Sequence, residues 1–173
     1  MPARYAPATA ENRRKERTTD VMSIKAGQEA PDFALKDQNG QVRRLSDYRG
    51  KKNVLLVFYP LAFSGICTAE LCQLRDDLPS FENEGTTTLA VSVDSPYVLK
   101  AFAEHQGYNF ALLSDFWPHG AVARTYGIFN EERGFAIRGT FIVDKEGIVR
   151  HLTVNQPSEP RDPDDYRRAL AGL

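Results

Sequence analysis

The sequence predicts an α/β fold in which a mixed β-sheet carries helices on both faces. Three observations lead there. Two largely apolar runs, residues 54–59 and 89–93, have strand length and little polar alternation, as strands covered on both faces do. Between them lies a stretch whose leucines recur at helical spacing. Two strands joined by a helix imply a parallel pair with a right-handed crossover. Two other segments carry hairpin signals, which add antiparallel strands to the same sheet.

In chain order, residues 33–35 and 42–45 flank Asn39-Gly40. Asn-Gly between short strand-like runs specifies a hairpin, because both residues tolerate the positive φ of a tight turn. Residues 46–50 read as a turn. The buried strand 54–59 stops at Pro60, which has no amide hydrogen for a ladder. After a loop over 61–65 the pattern turns helical from Ile66. Leu71, Leu74, Leu78 and Phe81 recur at three and four, and Gly85 stands where a helix closes. Ser95-Pro96 starts another helix, with a capping hydroxyl and a proline in the first turn, and Gly107 ends it. Residues 110–113 are short and strand-like, and a helix is predicted from near Pro118 to just before Gly127. Residues 140–143 and 148–152 flank Asp-Lys-Glu-Gly at 144–147 as a second hairpin. A last helix opens at 162–165, with acids early and Arg167 and Arg168 later, the order the helix dipole favours. No repeat or second domain is visible. The reading is one domain over 23–173 behind a disordered N-terminal extension, 1–22, with Met22 as an alternative start.

The 173 residues suffice to bury a core, and 42% apolar with 26% charged is ordinary for a globular chain. A formal net charge of -1 gives no field that would draw nucleic acid or an anionic membrane. No run approaches the roughly eighteen apolar residues of a membrane span. The basic N-terminus lacks the apolar stretch of a secretory signal, and Glu11, Glu16 and Asp20 argue against a transit peptide. A cytoplasmic protein is expected. His105, His119 and His151 match no ligand spacing with the cysteines, so no metal site is expected.

There are two cysteines, Cys67 and Cys72, too few for a secreted disulfide scaffold. Cys67 stands just past a buried strand, in the first turn of the predicted helix. Amides of a first turn have no intrahelical partners and the dipole is positive there, so a thiolate is favoured over a thiol.

Pro60, Ser64 and Cys67 match the Pro-x-x-x-Thr/Ser-x-x-Cys motif of the peroxiredoxins. Residues 138–144, Arg-Gly-Thr-Phe-Ile-Val-Asp, resemble that family's strand with its active-site arginine. Phe116-Trp117-Pro118 and the stretch through Gly134 are most similar to its E-type alkyl hydroperoxide reductase branch. The resemblance covers roughly 26–154. It implies a thioredoxin-like sheet and a thiol-dependent peroxidase acting on hydrogen peroxide and organic hydroperoxides. It further implies Cys67 as the attacking nucleophile, Ser64 and the Cys67 amide orienting the peroxide, and Arg138 stabilising the leaving oxygen. Pro60 would shield the sulfur. No cofactor is implied, since the sulfur itself carries the redox chemistry. The resemblance also implies a homodimer, and a reductant such as thioredoxin, a mycoredoxin or a glutaredoxin. One departure is Ser64, where most members have threonine. Serine keeps the hydroxyl and loses the β-branch that restricts χ1.

Attack on peroxide leaves Cys67 as a sulfenic acid, which a second thiol must resolve. The spacing to Cys72 resembles the bacterioferritin-comigratory branch, whose second cysteine can do this. In an intact helix five residues mean about 7.5 Å of rise and roughly 140° of rotation. A disulfide needs Cα atoms within about 7 Å, so the first turns would have to unwind. The other reading leaves resolution to an external thiol and Cys72 as a packed side chain beside Leu71. Two readings also stand for Glu70, a partner of Arg138 or an acid placed for the helix dipole. Trp117 reads as a shaper of the site entrance, a subunit contact or a core residue. The Asp/Arg pairs near the C-terminus read as structural or solvated. Two rival functions are a thiol–disulfide oxidoreductase of the thioredoxin fold, which would use Cys-x-x-Cys, and a holdase, which would leave Ser64 and Arg138 without purpose.

Overall fold

A computed structural model of the chain describes residues 24–81 and 85–173. The extension expected over 1–22 and the segment just before Gly85 lie outside these residues. Strands β1 (Ala34–Asp37) and β2 (Val42–Arg44) form the first hairpin, followed by a short 3-10 turn, Leu45–Tyr48. Then come β3 (Asn53–Phe58), α1 (Gly65–Phe81), β4 (Thr86–Ser92), α2 (Pro96–Gln106) and β5 (Ala111–Ser114). The short helix α3 (Ala121–Thr125) precedes a small hairpin, β6 (Phe129–Asn130) and β7 (Phe135–Ala136). The chain ends with β8 (Arg138–Val143), β9 (Val149–Asn155) and α4 (Pro163–Ala171).

Seven strands make one mixed sheet in the order β2–β1–β5–β4–β3–β8–β9. The centre is parallel: Leu56 of β3 sits opposite Leu89 of β4, and Val91 of β4 opposite Leu113 of β5. β8 runs antiparallel to β3, with Leu56 opposite Phe141. This is the mixed sheet that the sequence implies.

Side-chain alternation along β3 builds two cores. Val54, Leu56 and Phe58 point to one face, where they meet Ala123 of α3, Tyr126 just after it, Phe141, and Phe33 from the N-terminal segment. Phe58 packs edge-on to Phe141 at 5.9 Å and tilted against Tyr126 at 5.2 Å. Leu55, Val57 and Tyr59 point to the other face, under Cys67, Leu71 and Leu74 of α1, Leu99 and Phe102 of α2, and Tyr166 of α4. Each fully buried side chain of this size contributes about 1.5–3 kcal/mol. The alternation also fixes the site. On β8, Ile142 shares the α1 face, so Thr140 and Arg138, two and four residues earlier, do so as well.

Three details depart from the sequence reading. The helix expected from Pro118 begins at Ala121. Residues 116–120 form a turn, and the buried Asp115 carboxylate accepts from the amides of Val122 and Ala123, which sets the first helical residues. The β6–β7 hairpin was not expected. Its strands have two residues each, too few to show a period, and Asn130 Oδ1 closes its turn by accepting from the amides of Glu132 and Arg133. The second hairpin also reaches further than expected, to Arg138 and Asn155, paired across its open end.

Candidate active site

The loop after β3 and the first turn of α1 form one wall of a shallow pocket of about 250 Å³. Pro60, Leu61, Ser64, Gly65 and Ile66 line that wall, and Arg138, Phe135 and Pro157 face them. The structure therefore brings three sequence-picked residues, Pro60, Ser64 and Arg138, to one cavity. Cys67 lies in the adjoining helical turn, fully buried among Leu55, Val57, Tyr59 and Leu71. Both cysteines are free thiols.

Ser64 starts α1. Its carbonyl accepts from the Thr68 amide at 2.8 Å, the first helical hydrogen bond. Its hydroxyl does not cap the helix and instead donates to the Leu61 carbonyl at 2.9 Å. A hydroxyl has one hydrogen, so toward the pocket Ser64 Oγ offers lone pairs only. The loop is held from the other side by Asp94, which accepts from the Ala62 amide at 2.8 Å. Phe63 adopts a φ of 61°, an uncommon value for a residue with a side chain, and packs tilted against Phe102 with centroids 4.7 Å apart.

Arg138 is buried, and its guanidinium is fixed at two points. Nε donates to the Pro157 carbonyl at 2.9 Å, and Nη1 donates to Glu70 Oε2 at 2.5 Å. Of the two readings of Glu70, the geometry gives the ion pair. Glu70 also holds a second cation that the sequence reading passed over, Arg161. Arg161 Nη1 donates to Glu70 Oε2 at 2.6 Å and its backbone amide to Oε1 at 2.7 Å. Its Nε reaches Thr140 Oγ1 at 2.9 Å, and Nη2 donates to the Phe58 carbonyl. Burial pushes the Arg161 guanidinium below its ordinary range. Glu70 and Cys67 oppose that shift, and the like charge of Arg138 adds to it. Arg161 lies in the proline-rich stretch 157–163, among the Asp/Arg pairs read as structural or solvated. For Arg161 the solvated alternative fails, since its side chain is buried against Glu70. Nothing periodic marks such a residue, and only the fold folds this loop back under α1.

Cys72 is half-buried on the same helix. Its Sγ lies 3.4 Å from Gln106 Oε1 and 3.5 Å from Tyr108 Oη. Trp117 is 82% exposed, which removes its reading as a core residue. Among the described residues, no group of three or more His, Cys, Asp or Glu is placed to hold a metal ion, and no helix is long and apolar enough to cross a membrane.

Comparison with known proteins supplies the family. The model of the AhpC/TSA family matches residues 26–152. The chain is 56% identical over 150 residues to Alkyl hydroperoxide reductase E of Mycobacterium tuberculosis, covering 87% of this chain and 98% of that protein. It is 37% identical over 157 residues to the chloroplastic 2-Cys peroxiredoxin BAS1 of Spinacia oleracea, covering 85% of this chain and 58% of that longer protein. Among solved structures, the reduced 2-Cys peroxiredoxin of Plasmodium vivax superposes with a TM-score of 0.76 at 30% identity, covering 86% of this chain and 81% of the other. Peroxidoxin BcpB of Mycobacterium tuberculosis gives 0.76 at 30% identity, covering 87% and 98%. A family match over most of the chain, relatives of that identity and the pocket beside Cys67 lead to one conclusion: the chain belongs to the AhpC/TSA family and is a peroxiredoxin, a thiol peroxidase.

Proposed function

We propose that the chain reduces hydrogen peroxide and organic hydroperoxides at Cys67, with Cys72 resolving the oxidised sulfur as an intramolecular disulfide. The observation that carries the first half is Arg138, a buried and doubly fixed cation in the wall of the pocket that Pro60 and Ser64 also line. A peroxide in this pocket donates its O–H to Ser64 Oγ, whose own hydrogen is committed to Leu61. The Cys67 thiolate attacks one oxygen in line. The S–O bond forms, the O–O bond breaks, and the second oxygen leaves with the electron pair and then takes a proton. Arg138 stabilises that developing charge. Arg138 and Arg161 against Glu70 leave one unbalanced positive charge in a buried cluster. A thiolate at Cys67 brings the cluster to neutrality.

Cys72 supports the second half by its place on the same helix and by being less buried than Cys67. A thioredoxin- or mycoredoxin-type protein then reduces the disulfide. The exposed aromatic residues Phe116, Trp117 and Tyr97 support a homodimer, and the cytoplasm is the expected compartment. The test is peroxide consumption with thioredoxin and its reductase, comparing the parent with Cys67→Ser and Cys72→Ser. Loss in both, with Cys72→Ser still completing one turnover, supports the scheme. Full turnover by Cys72→Ser assigns resolution to an external thiol. Single-turnover activity in Cys67→Ser would overturn Cys67 as the nucleophile.

A further inference from the structure

The second cysteine has surroundings that the peroxide chemistry at Cys67 does not use. Tyr108 Oη lies 3.5 Å from Cys72 Sγ and also donates to the Thr68 carbonyl at 3.4 Å. Thr68 belongs to the first turn of α1 and Cys72 to the second. One hydroxyl thus spans the turns that must open before Cys72 reaches Cys67. Tyr108 is not free to follow them. It is buried, edge-on to Phe102 at 5.1 Å and tilted against Phe110 at 5.2 Å. Gly107, at a φ of 69°, reverses the chain after α2 and aims Tyr108 at α1, and the Tyr108 amide donates to the Ala103 carbonyl at 3.0 Å. The phenol is therefore anchored to α2 and to the segment leading into β5, while its two partners ride on the segment that moves.

We infer that Tyr108 is a positioning residue for the resolving step, its hydroxyl holding the first two turns of α1 wound and so setting how fast Cys72 reaches the Cys67 sulfenic acid. This rests on Cys72 as the resolving thiol. In that step the Cys72 sulfur attacks the Cys67 sulfur. The S–S bond forms, the S–O bond breaks, and the thiol proton leaves with the hydroxyl as water. Cys72 is oxidised and Cys67 is reduced from sulfenic acid to disulfide. A slower step leaves the sulfenic acid open to a second peroxide, which carries it to sulfinic acid. Tyr108 thereby sets the peroxide concentration at which the enzyme inactivates itself.

Tyr108→Phe tests this, because it keeps the ring and its packing and removes one oxygen. Stopped-flow fluorescence is expected to show an unchanged rate of Cys67 oxidation and disulfide formation about five-fold faster, the scale of one net hydrogen bond. The peroxide concentration for half-inactivation is expected to rise by the same factor. In the reduced variant, amides of residues 65–72 are expected to exchange faster while those of β3 stay unchanged, a split that general loosening would not give. Disulfide formation that is unchanged or slower in Tyr108→Phe overturns the inference. A parent that forms no Cys67–Cys72 disulfide overturns the resolving role itself, and mass spectrometry of the parent shows that before any variant is made.

Discussion

Neutralising Glu70 tests whether the cation pair behind the pocket is held by one carboxylate. In Glu70→Gln the shape is nearly kept and the charge is lost. Arg138 and Arg161 have side chains only 3% and 7% exposed, so neither can turn to water when the carboxylate goes. Three hydrogen bonds end on Glu70: from Arg138 Nη1 at 2.5 Å, Arg161 Nη1 at 2.6 Å and the Arg161 amide at 2.7 Å. Breaking a buried ion pair by removing one partner costs about 3–5 kcal/mol, much of it the stranded charge. Glutamine still accepts through one oxygen, which places the expected loss at about 3 kcal/mol. For a domain of this length that lowers Tm by about 6–12 °C. Urea unfolding followed by circular dichroism measures the loss, and stopped-flow oxidation by peroxide should fall at least about ten-fold as Arg138 loses its fixed position. Arg49→Ala, which removes the exposed pair with Glu29, is the control and is expected to unfold like the parent. If Glu70→Gln loses less than about 1 kcal/mol and reacts at the parental rate, the two arginines are not organised by Glu70.

Ser64→Ala removes the lone pairs proposed to orient the peroxide and is expected to slow Cys67 oxidation at least about ten-fold, read by stopped flow; parental speed would take Ser64 out of the mechanism. Phe58→Ala opens a cavity between Tyr126 and Phe141 and is expected to cost about 3–5 kcal/mol in urea unfolding; a cost under about 1 kcal/mol would mean that this core collapses around the gap. Hydrogen bonds from Thr153 and His151 hold the Asp165 carboxyl below the usual carboxylate range. Such a group stabilises the fold above its unfolded pKa, and the stabilisation is lost as pH falls through the folded value. Asp165→Asn should therefore unfold at lower urea than the parent at pH 7, with the gap closing below about pH 4. A gap that does not narrow as pH falls below about 4 would contradict that assignment.

How much of this was legible depended on whether a residue's role was local. Val54 to Phe58, the Asn39-Gly40 turn and the Ser95-Pro96 helix start are written in contiguous residues, and a mixed sheet with a parallel central pair follows from them, though not the strand order. Cys67 is legible for the same reason, since a strand end and one helical turn place it, while Pro60 and Ser64 were marked by the peroxiredoxin motif. Arg138 needed the resemblance, because nothing local distinguishes it from a surface strand arginine. Arg161 left no mark at all. Its burial arises from β9 ending at Asn155 and from the loop that follows crossing beneath α1, a tertiary event with no period and no motif. Tyr108 was equally silent: an aromatic after a helix-ending glycine reads as core, and only the position of its hydroxyl against α1 separates it from a phenylalanine.

With Cys72 as the resolving thiol, as proposed above, the two half-reactions make opposite demands on one helix. Attack needs α1 wound, because its first turn and Ser64 shape the pocket. Resolution needs that turn unwound, because helical geometry keeps Cys67 and Cys72 apart. Leu71 and Leu74 anchor the helix on the sheet, and exposing each would cost about 1.5–3 kcal/mol, so opening is cheapest at the N-terminal end. Oxidation acts at the same place. A sulfenic hydroxyl at Cys67 puts a polar group into a cluster of Leu55, Val57 and Leu71, where an unpaired hydroxyl costs about 1–3 kcal/mol. The product of the first half-reaction is thus less compatible with the wound helix than the thiol was. The chemistry itself tilts α1 toward the conformation that the second half-reaction requires.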